Sequence, residues 1–259
     1  MWVMTTQPTA AICLIGDELL SGRTRDVNVQ QIAGFLGPYG IPIEEVRIVP
    51  DIQDRIVEAV NALRERYTYV FTTGGIGPTH DDITADAIAA AFGVGIGKHP
   101  EVMAFLQSRY DEMGTEFTES RQRMARIPDG ASLIKNAVSG APGFQTGNVF
   151  TLAGVPSIVQ AMLGDIGHRL QRGVPVHSLT VRSAGLREGD VAEKLAELDR
   201  ELEGVNLGSY PWFRAVNDHG VALIARSRDA DKLKEAGEKL VALVTSVGKE
   251  SEVFEGEAS

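Results

Sequence analysis

The apolar run Tyr69–Thr73 empties into a turn built on Gly74, Gly75 and Gly77, and a helical pattern begins directly behind it. Strand, glycine turn and helix in that order constrain the chain toward an α/β fold. Ile83, Ala87 and Phe92 carry the apolar spacing of the helix, and Gly93 is its expected stop. The glycines strip side chains from the turn, so its backbone N–H groups can approach a ligand. Free N–H groups and the positive end of the helix dipole make an anion site there. Yet Asp81 and Asp82 stand at that same helix start. Carboxylates repel a phosphate unless a divalent cation or a proton lies between them. The conflict points to phosphate chemistry rather than a passive cradle. Either aspartate alone also reads as a helix N-cap, an effect of ~1 kcal/mol.

The rest of the first two-thirds alternates in the same way. Ala10–Ile15 reads as a strand, followed by a loop over Gly16–Arg25. Val27–Leu36 reads as a helix, Ile43–Val49 as a strand, and Ile52–Tyr67 as a helix with Ile52, Ile56, Ala59, Val60 and Leu63 on one face. Such alternation favours a largely parallel sheet with helices on both faces. Residues 101–127 read as two helices broken at Gly114. Ser132–Ile134 and Val149–Leu152 read as strands around a turn-rich loop, Ser139–Gly143. Leu152–Pro156 then opens a helix from Ser157 to about Arg172. Gly173-Val174-Pro175 is the expected boundary between a domain of residues 1–174 and a small α+β domain of residues 175–259. The second unit reads β-α-β-β-α: Val176–Ser183, Gly189–Leu202, Val205–Phe213, Val221–Arg226 and Asp231–Val247, with a turn at Asn217–Gly220 and a frayed acidic tail after Gly248.

A chain of 259 residues is long enough for two domains and a sizeable core. Its net charge of −10 excludes the basic footprint of a nucleic-acid binder. From Pro175 onward 11 Lys/Arg face 16 Asp/Glu, with no basic stripe and no GxxG clamp, so an RNA-binding role for this part is disfavoured. The single cysteine, Cys13, lies in an apolar run and reads as a small buried hydrophobe. With no disulfide available, a reducing cytoplasm is the expected location. Met1–Thr9 lacks the pattern of a signal peptide, and no segment approaches the ~20 apolar residues of a membrane span.

Parallel strands deliver their C-terminal ends to one edge, where open α/β sheets bind ligands. Gly16-Asp17-Glu18 follows the first strand, Asp51 the second, and the glycine turn with its aspartates the third. Asp17, Glu18, Asp51 and Asp82 are therefore expected to converge. Several carboxylates around a phosphate cradle suggest a Mg²⁺-type site with oxygen ligands, Asp82 first and Asp51 as a weaker second. Taken singly, Asp51 reads equally as the start of the next helix, Asp17-Glu18 as a solvated loop, and Asp86 as a solvent-facing helix residue. Among His80, His99, His168, His177 and His219 no pair has zinc-ligand spacing, and only His80 lies in a loop of interest. No Gly-x-Ser-x-Gly elbow occurs, and no Lys-Ser/Thr follows the glycine turn as in a Walker loop.

The run Thr73-Gly74-Gly75-Ile76-Gly77-Pro78-Thr79-x-Asp81-Asp82-Ile83-Thr84 resembles the signature of the MoaB/Mog-type molybdopterin-binding domain. Ile15–Gly22, including Gly16, Asp17, Glu18, Ser21 and Gly22, together with Asn28, is similar to the opening motif of the CinA branch (competence/damage-inducible protein A). Ser139-Gly140-Ala141-Pro142-Gly143-Phe144 and Leu152–Pro156, with Gly154 and Pro156, resemble two further loops of CinA and of the N-terminal domain of animal-type FAD synthases. The likeness covers about residues 10–172 in the correct motif order. It implies a three-layer α/β fold with a ligand pocket at the strand ends. It also implies catalytic roles for Asp51 and Asp82, ligand contacts along the quoted motifs and at Asp86, and phosphate held by the Ser139–Gly143 and Gly154–Pro156 loops.

CinA-type members imply divalent-metal-dependent cleavage (Mg²⁺, Mn²⁺ or Co²⁺) of dinucleotide pyrophosphates such as ADP-ribose, and the FAD-synthase branch implies FAD hydrolysis. The family otherwise implies molybdopterin adenylyl transfer, or a non-catalytic module binding a nucleotide or pterin. It further implies self-association as a dimer or trimer, while charge and hydropathy lead us to expect no nucleic-acid or membrane partner. Full CinA proteins continue into a nicotinamide-nucleotide deamidase domain for which this chain leaves no room, so no deamidase activity is expected. The FAD-forming domain of the synthases is likewise missing, and Arg23–Val27 departs from the usual stretch before the asparagine.

Overall fold

A computed structural model describes residues 7–215 and 218–256. The chain divides into two compact units, Met1–Gly173 and Val174–Ser259. In the first unit the elements run β1 (Ala10–Ile15), α1 (Asp17–Leu20), α2 (Asn28–Leu36), β2 (Ile43–Val49), α3 (Gln53–Arg66), β3 (Tyr69–Thr73) and α4 (Thr84–Phe92). They continue with β4 (Ile96–Lys98), α5 (Pro100–Glu112), α6 (Glu119–Gln122), β5 (Arg126–Pro128), β6 (Ser132–Ile134), β7 (Gly143–Thr146), β8 (Val149–Leu152) and α7 (Pro156–Ile166).

The main sheet has the order β2-β1-β3-β8-β7-β6. The first four strands are parallel, and β7 and β6 add an antiparallel edge. β1 and β3 are buried on both faces, which is why both read as unbroken apolar runs. Alternate residues feed two cores. Ile12, Leu14, Phe71, Phe150 and Leu152 meet Ile32, Leu36, Met162 and Ile166 of α2 and α7 on one face. Cys13, Ile15, Val70, Phe144 and Val149 meet Ile56, Val60, Leu63, Ala87 and Ile88 of α3 and α4 on the other. The result is three layers. Phe71 and Phe150 stack at 5.1 Å across β3 and β8, a pairing worth ~1 kcal/mol beyond the area it buries.

Because Cys13 is wholly enclosed, burial pushes its thiol up to about 12, against a smaller opposing pull from Arg47. The folded protein should therefore resist a soluble disulfide reagent at pH 8, and one equivalent should react once denaturant is added. Full native reactivity would show that β1 opens readily.

Several boundaries differ from the sequence-based expectation. Gly16–Arg25 is not all loop, since Asp17–Leu20 closes one helical turn. The second helix of 101–127 is only Glu119–Gln122, and the segment ends as a strand paired with β4. Strand β7 starts inside the expected loop at Gly143. The helix after Pro156 stops at Ile166 and tightens into a 3-10 turn, Gly167–Arg169, instead of reaching Arg172.

The second unit contains β9 (His177–Ala184), α8 (Glu188–Glu201), β10 (Val205–Ala215), β11 (Asp218–Ser227), α9 (Ala230–Ser246) and β12 (Glu252–Glu255). Its antiparallel sheet has the order β10-β11-β9-β12. Val181, Leu223 and Ala225 pack on Val191 of α8 and on Ala236, Leu240 and Val244 of α9. Two corrections apply here. Asp218, His219 and Gly220 are ladder residues of β11 rather than turn residues, and Asn217 falls outside the described residues. The acidic tail forms β12 against β9, with Thr180 Oγ1 donating to the Gly256 carbonyl at 2.7 Å. Pairing with a neighbouring strand satisfies its backbone despite the charge. Among the described residues no helix is long and apolar enough to cross a membrane.

Candidate functional site

The order β2-β1-β3 reverses direction at β1, and the crevice lies at the carboxyl ends of the strands around that switch. Gly74 makes it possible. Its φ is +100°, and a Cβ at this position would stand 2.1 Å from the Ile15 carbonyl oxygen at the end of β1. Gly154, after β8, is the third surface of this contact, since a Cβ there would meet the Gly74 Cα at 3.4 Å. The three strand ends thus close on one another through bare backbone. Gly75 is equally constrained, with φ +67° and the Thr84 hydroxyl 2.2 Å from a would-be Cβ. Thr84 Oγ1 in turn donates to the Gly74 carbonyl at 2.9 Å.

Asp51, just past β2, reaches across to the end of β1. Its Oδ2 accepts the Asp17 backbone N–H at 2.9 Å. Partial burial raises the Asp51 carboxyl above the usual aspartate range, and the like charges of Asp17, Glu18 and Asp81 raise it further, while the Asp17 N–H works against them. The end of β1 and Asp51 thus meet through the Asp17 N–H, and the charges of Asp17 and Glu18 bear on Asp51. Asp81 is the aspartate of the glycine turn whose charge bears on Asp51.

Asp82 is turned back into its own loop. Its Oδ2 accepts the Thr79 N–H at 2.7 Å and the Thr79 hydroxyl at 2.5 Å. A Cβ on Gly77 would lie 2.6 Å from that same oxygen, so Gly77 makes room for the carboxylate. Asp82 lines a narrow cleft with Gly75, Gly77, Asp86, Arg126 and Pro142. The helix starts at Thr84, so both aspartates precede it and Asp86 occupies its first turn. Asp86 is neither solvent-facing nor free: Arg126 grips both its oxygens at 2.8 and 2.5 Å.

Asn28 is 5% exposed and donates Nδ2 to the Gly154 carbonyl at 2.9 Å, which ties α2 to the β8 loop. Its Oδ1 has no hydrogen-bond partner among the described residues. Ser21 bonds the Glu18 carbonyl at 3.3 Å and, with Gly22 at φ +70°, ends α1. Pro156 opens α7. Gly143 is required by packing, because the Thr151 carbonyl lies 2.5 Å from a would-be Cβ. Thr73 is buried at the end of β3, and Pro78 and Thr79 face an open cavity on the turn's rim.

Three residues of this region escaped the sequence reading. Asn136 shapes the Ser139–Gly143 loop with four bonds: it donates to Ser139 Oγ and the Ala141 carbonyl, and accepts from the Val138 and Ser139 N–H groups. Gly140 in that loop has φ +84°. Arg126 holds Asp86 as above. Arg123 Nη2 donates to the Asp82 carbonyl at 3.1 Å and ties the glycine turn to the segment after α5. Neither arginine had a recognisable signal, because both partners lie about forty positions away in the sequence. Asn136, just ahead of a Ser-Gly-Ala-Pro-Gly turn, did have one in the tendency of Asn to bond its own loop backbone.

Residues 11–172 match the family described as "Probable molybdopterin binding domain", and residues 175–250 match "FAD synthase, middle domain". A protein from Aeropyrum pernix is 34% identical over 216 residues, covering 80% of this chain and 81% of that protein. A CinA-like protein from Gloeobacter violaceus is 35% identical over 209 residues, covering 77% of this chain and 48% of its own length. This chain thus spans about half the length of the CinA-like proteins it matches. The solved structure of CinA from Thermoplasma acidophilum, described as of unknown function, superposes with a TM-score of 0.58 at 31% identity, over 62% of this chain and 96% of that one. The glycine turn, the strand-end carboxylates and these matches agree: the chain belongs to the MoaB/Mog-type molybdopterin-binding domain family, and it is similar to the family's CinA-like members.

Proposed function

We propose that the strand-end crevice hydrolyses the diphosphate bond of a dinucleotide such as ADP-ribose or FAD. One observation carries the reading: Asp51 is partly buried, accepts the Asp17 N–H at the end of β1, and feels the like charges of Asp17, Glu18 and Asp81. A site of that composition needs a countercharge before a diphosphate can enter. Its donors are all oxygens, which fits a hard divalent cation (Mg²⁺, Mn²⁺ or Co²⁺). Among the described residues no three His, Cys, Asp or Glu side chains are grouped to hold a metal by themselves. Mg²⁺ ordinarily binds through one or two carboxylates, waters and substrate phosphates, and Asp51 with Asp17 or Asp81 would supply that protein share. When bound, such an ion neutralises charge on the diphosphate and its leaving phosphate. The chain's own groups do the rest. Backbone N–H groups of Gly75–Gly77 donate to phosphate oxygens, since that of Gly74 is taken by the Leu152 carbonyl. Asp82, fixed by Thr79, orients the attacking water.

The test is to incubate the purified protein with ADP-ribose, NAD, FAD and ATP, each with Mg²⁺, Mn²⁺ or Co²⁺, and identify the products. Asp82→Asn should lower turnover by about 10²–10⁴-fold while leaving the fold intact by circular dichroism. Wild-type hydrolysis in that variant removes Asp82 from the reaction. The family match favours a second reading, adenylyl transfer to molybdopterin in the same crevice. Product formation from molybdopterin and Mg-ATP, without hydrolysis of dinucleotides, would select it. Tight nucleotide or pterin binding with no turnover under any metal would leave a binding module.

A further inference from the structure

That reading leaves a second cavity beside the glycine turn without a role. It has a volume of about 800 Å³ and opens between Pro78–His80 and the segment from Gly114 to Arg123. Its charged lining is Arg121, Arg123 and Glu116, and Thr79, Thr118 and Ser120 add hydroxyls. Both guanidinium groups are held in place. Arg121 donates to the Glu116 carbonyl and lies over the Tyr110 ring at 4.9 Å, and that ring stacks on Phe117 at 5.2 Å. Arg123 Nη2 is anchored on the Asp82 carbonyl. Two guanidinium groups on one cavity wall make a local positive patch in a chain of net charge −10, with Glu116 in the lining and Asp81 near Arg123 opposing it. Planar cationic forks with hydroxyls around them are the chemistry that binds phosphate.

We infer that this cavity is a phosphate subsite, taking a phosphate monoester on the nucleotide whose diphosphate lies on the glycine turn. The placement of the diphosphate rests on the proposed function; the subsite itself does not. The site would then prefer nucleotides with a further phosphate over those without one.

Titration calorimetry with inorganic phosphate reads the subsite directly, and ADP against its 2′-phosphorylated form reads the preference. Wild type should bind inorganic phosphate, and Arg121→Gln should weaken it by about tenfold, with Arg121→Lys restoring part of the loss. The 2′-phosphorylated form should bind about tenfold more tightly than ADP, and Arg121→Gln should erase that difference. Arg200→Gln, on α8 of the second unit, should change nothing. Thermal midpoints of all variants confirm that they are folded. No phosphate binding in wild type, equal binding in Arg121→Gln, or an equal loss in Arg200→Gln would overturn the subsite. Arginine-dependent phosphate binding in a protein that hydrolyses nothing would reject the hydrolase and keep the subsite. Hydrolysis with no phosphate binding would do the opposite.

Discussion

Gly74→Ala should destabilise the first unit by about 3–5 kcal/mol, lowering its thermal midpoint by roughly 10 °C or more. The added carbon would stand 2.1 Å from the Ile15 carbonyl oxygen and 3.2 Å from the carbon that bears it. Neither atom can rotate away, because Ile15 is paired with Val49 in the ladder and the next residue, Gly16, donates to the Val49 carbonyl at 3.2 Å. The φ of +100° adds a backbone conformation that L-residues avoid. Gly22→Ala is the internal control. Its φ is +70°, but nothing lies within 4 Å of the added carbon, so a loss of only about 1 kcal/mol is expected. Calorimetry or circular dichroism of both variants separates the two. Equal midpoints would mean that β1 and the glycine turn do not approach as closely as they do here. The consequence reaches function, since this turn is bare because β1 and β8 press on it, whatever ligand it also accommodates.

Asp51→Asn should remove turnover by about 10²–10⁴-fold while raising the thermal midpoint at neutral pH by roughly 1–3 °C. The two effects share one cause. Partial burial, then Asp17, Glu18 and Asp81, raise the Asp51 carboxyl above its ordinary value. A carboxyl raised on folding contributes stability in its protonated form, and that contribution is lost as pH rises through the folded pKa. At neutral pH the ionised group therefore opposes folding. Asparagine removes the charge and keeps an oxygen to accept the Asp17 N–H. The stability gap between variant and wild type should widen as pH is raised from below the usual aspartate pKa to neutrality. A variant less stable than wild type at pH 7 would show that the Asp17 contact outweighs the crowding of charge. Full activity in the variant would end the role proposed for Asp51.

Much of this architecture was legible in the chain because buried parallel strands leave a simple trace. Ala10–Ile15 and Tyr69–Thr73 emerge with the boundaries that their apolar runs suggest, and the half-buried edge strand Ile43–Val49 with those of its alternating pattern. Gly93 closes α4 at φ +66°, as its place after Phe92 implies. The short strands β4, β5, β7 and β12 left no such trace. Each is three or four residues long and exists only because a partner strand accepts its backbone. β12 is the sharpest case: an acidic, exposed segment becomes ordered through Arg182, Val181, Thr180 and Leu179 on β9.

The candidate site divides along the same line. Residue type and spacing alone place glycines, carboxylates and helix starts at the carboxyl ends of the strands, because the crossover rule sends every strand end to one edge. Which groups face each other there is decided by contacts that sequence distance conceals. The charge of Asp81 bears on Asp51. Asp82 folds onto Thr79, and Asp86 is taken by Arg126. Local pattern reflects the burial and backbone needs of each segment. Side-chain partnership at a strand-end crevice depends on loop conformations that form only when β1, β3 and β8 have packed their bare backbones together.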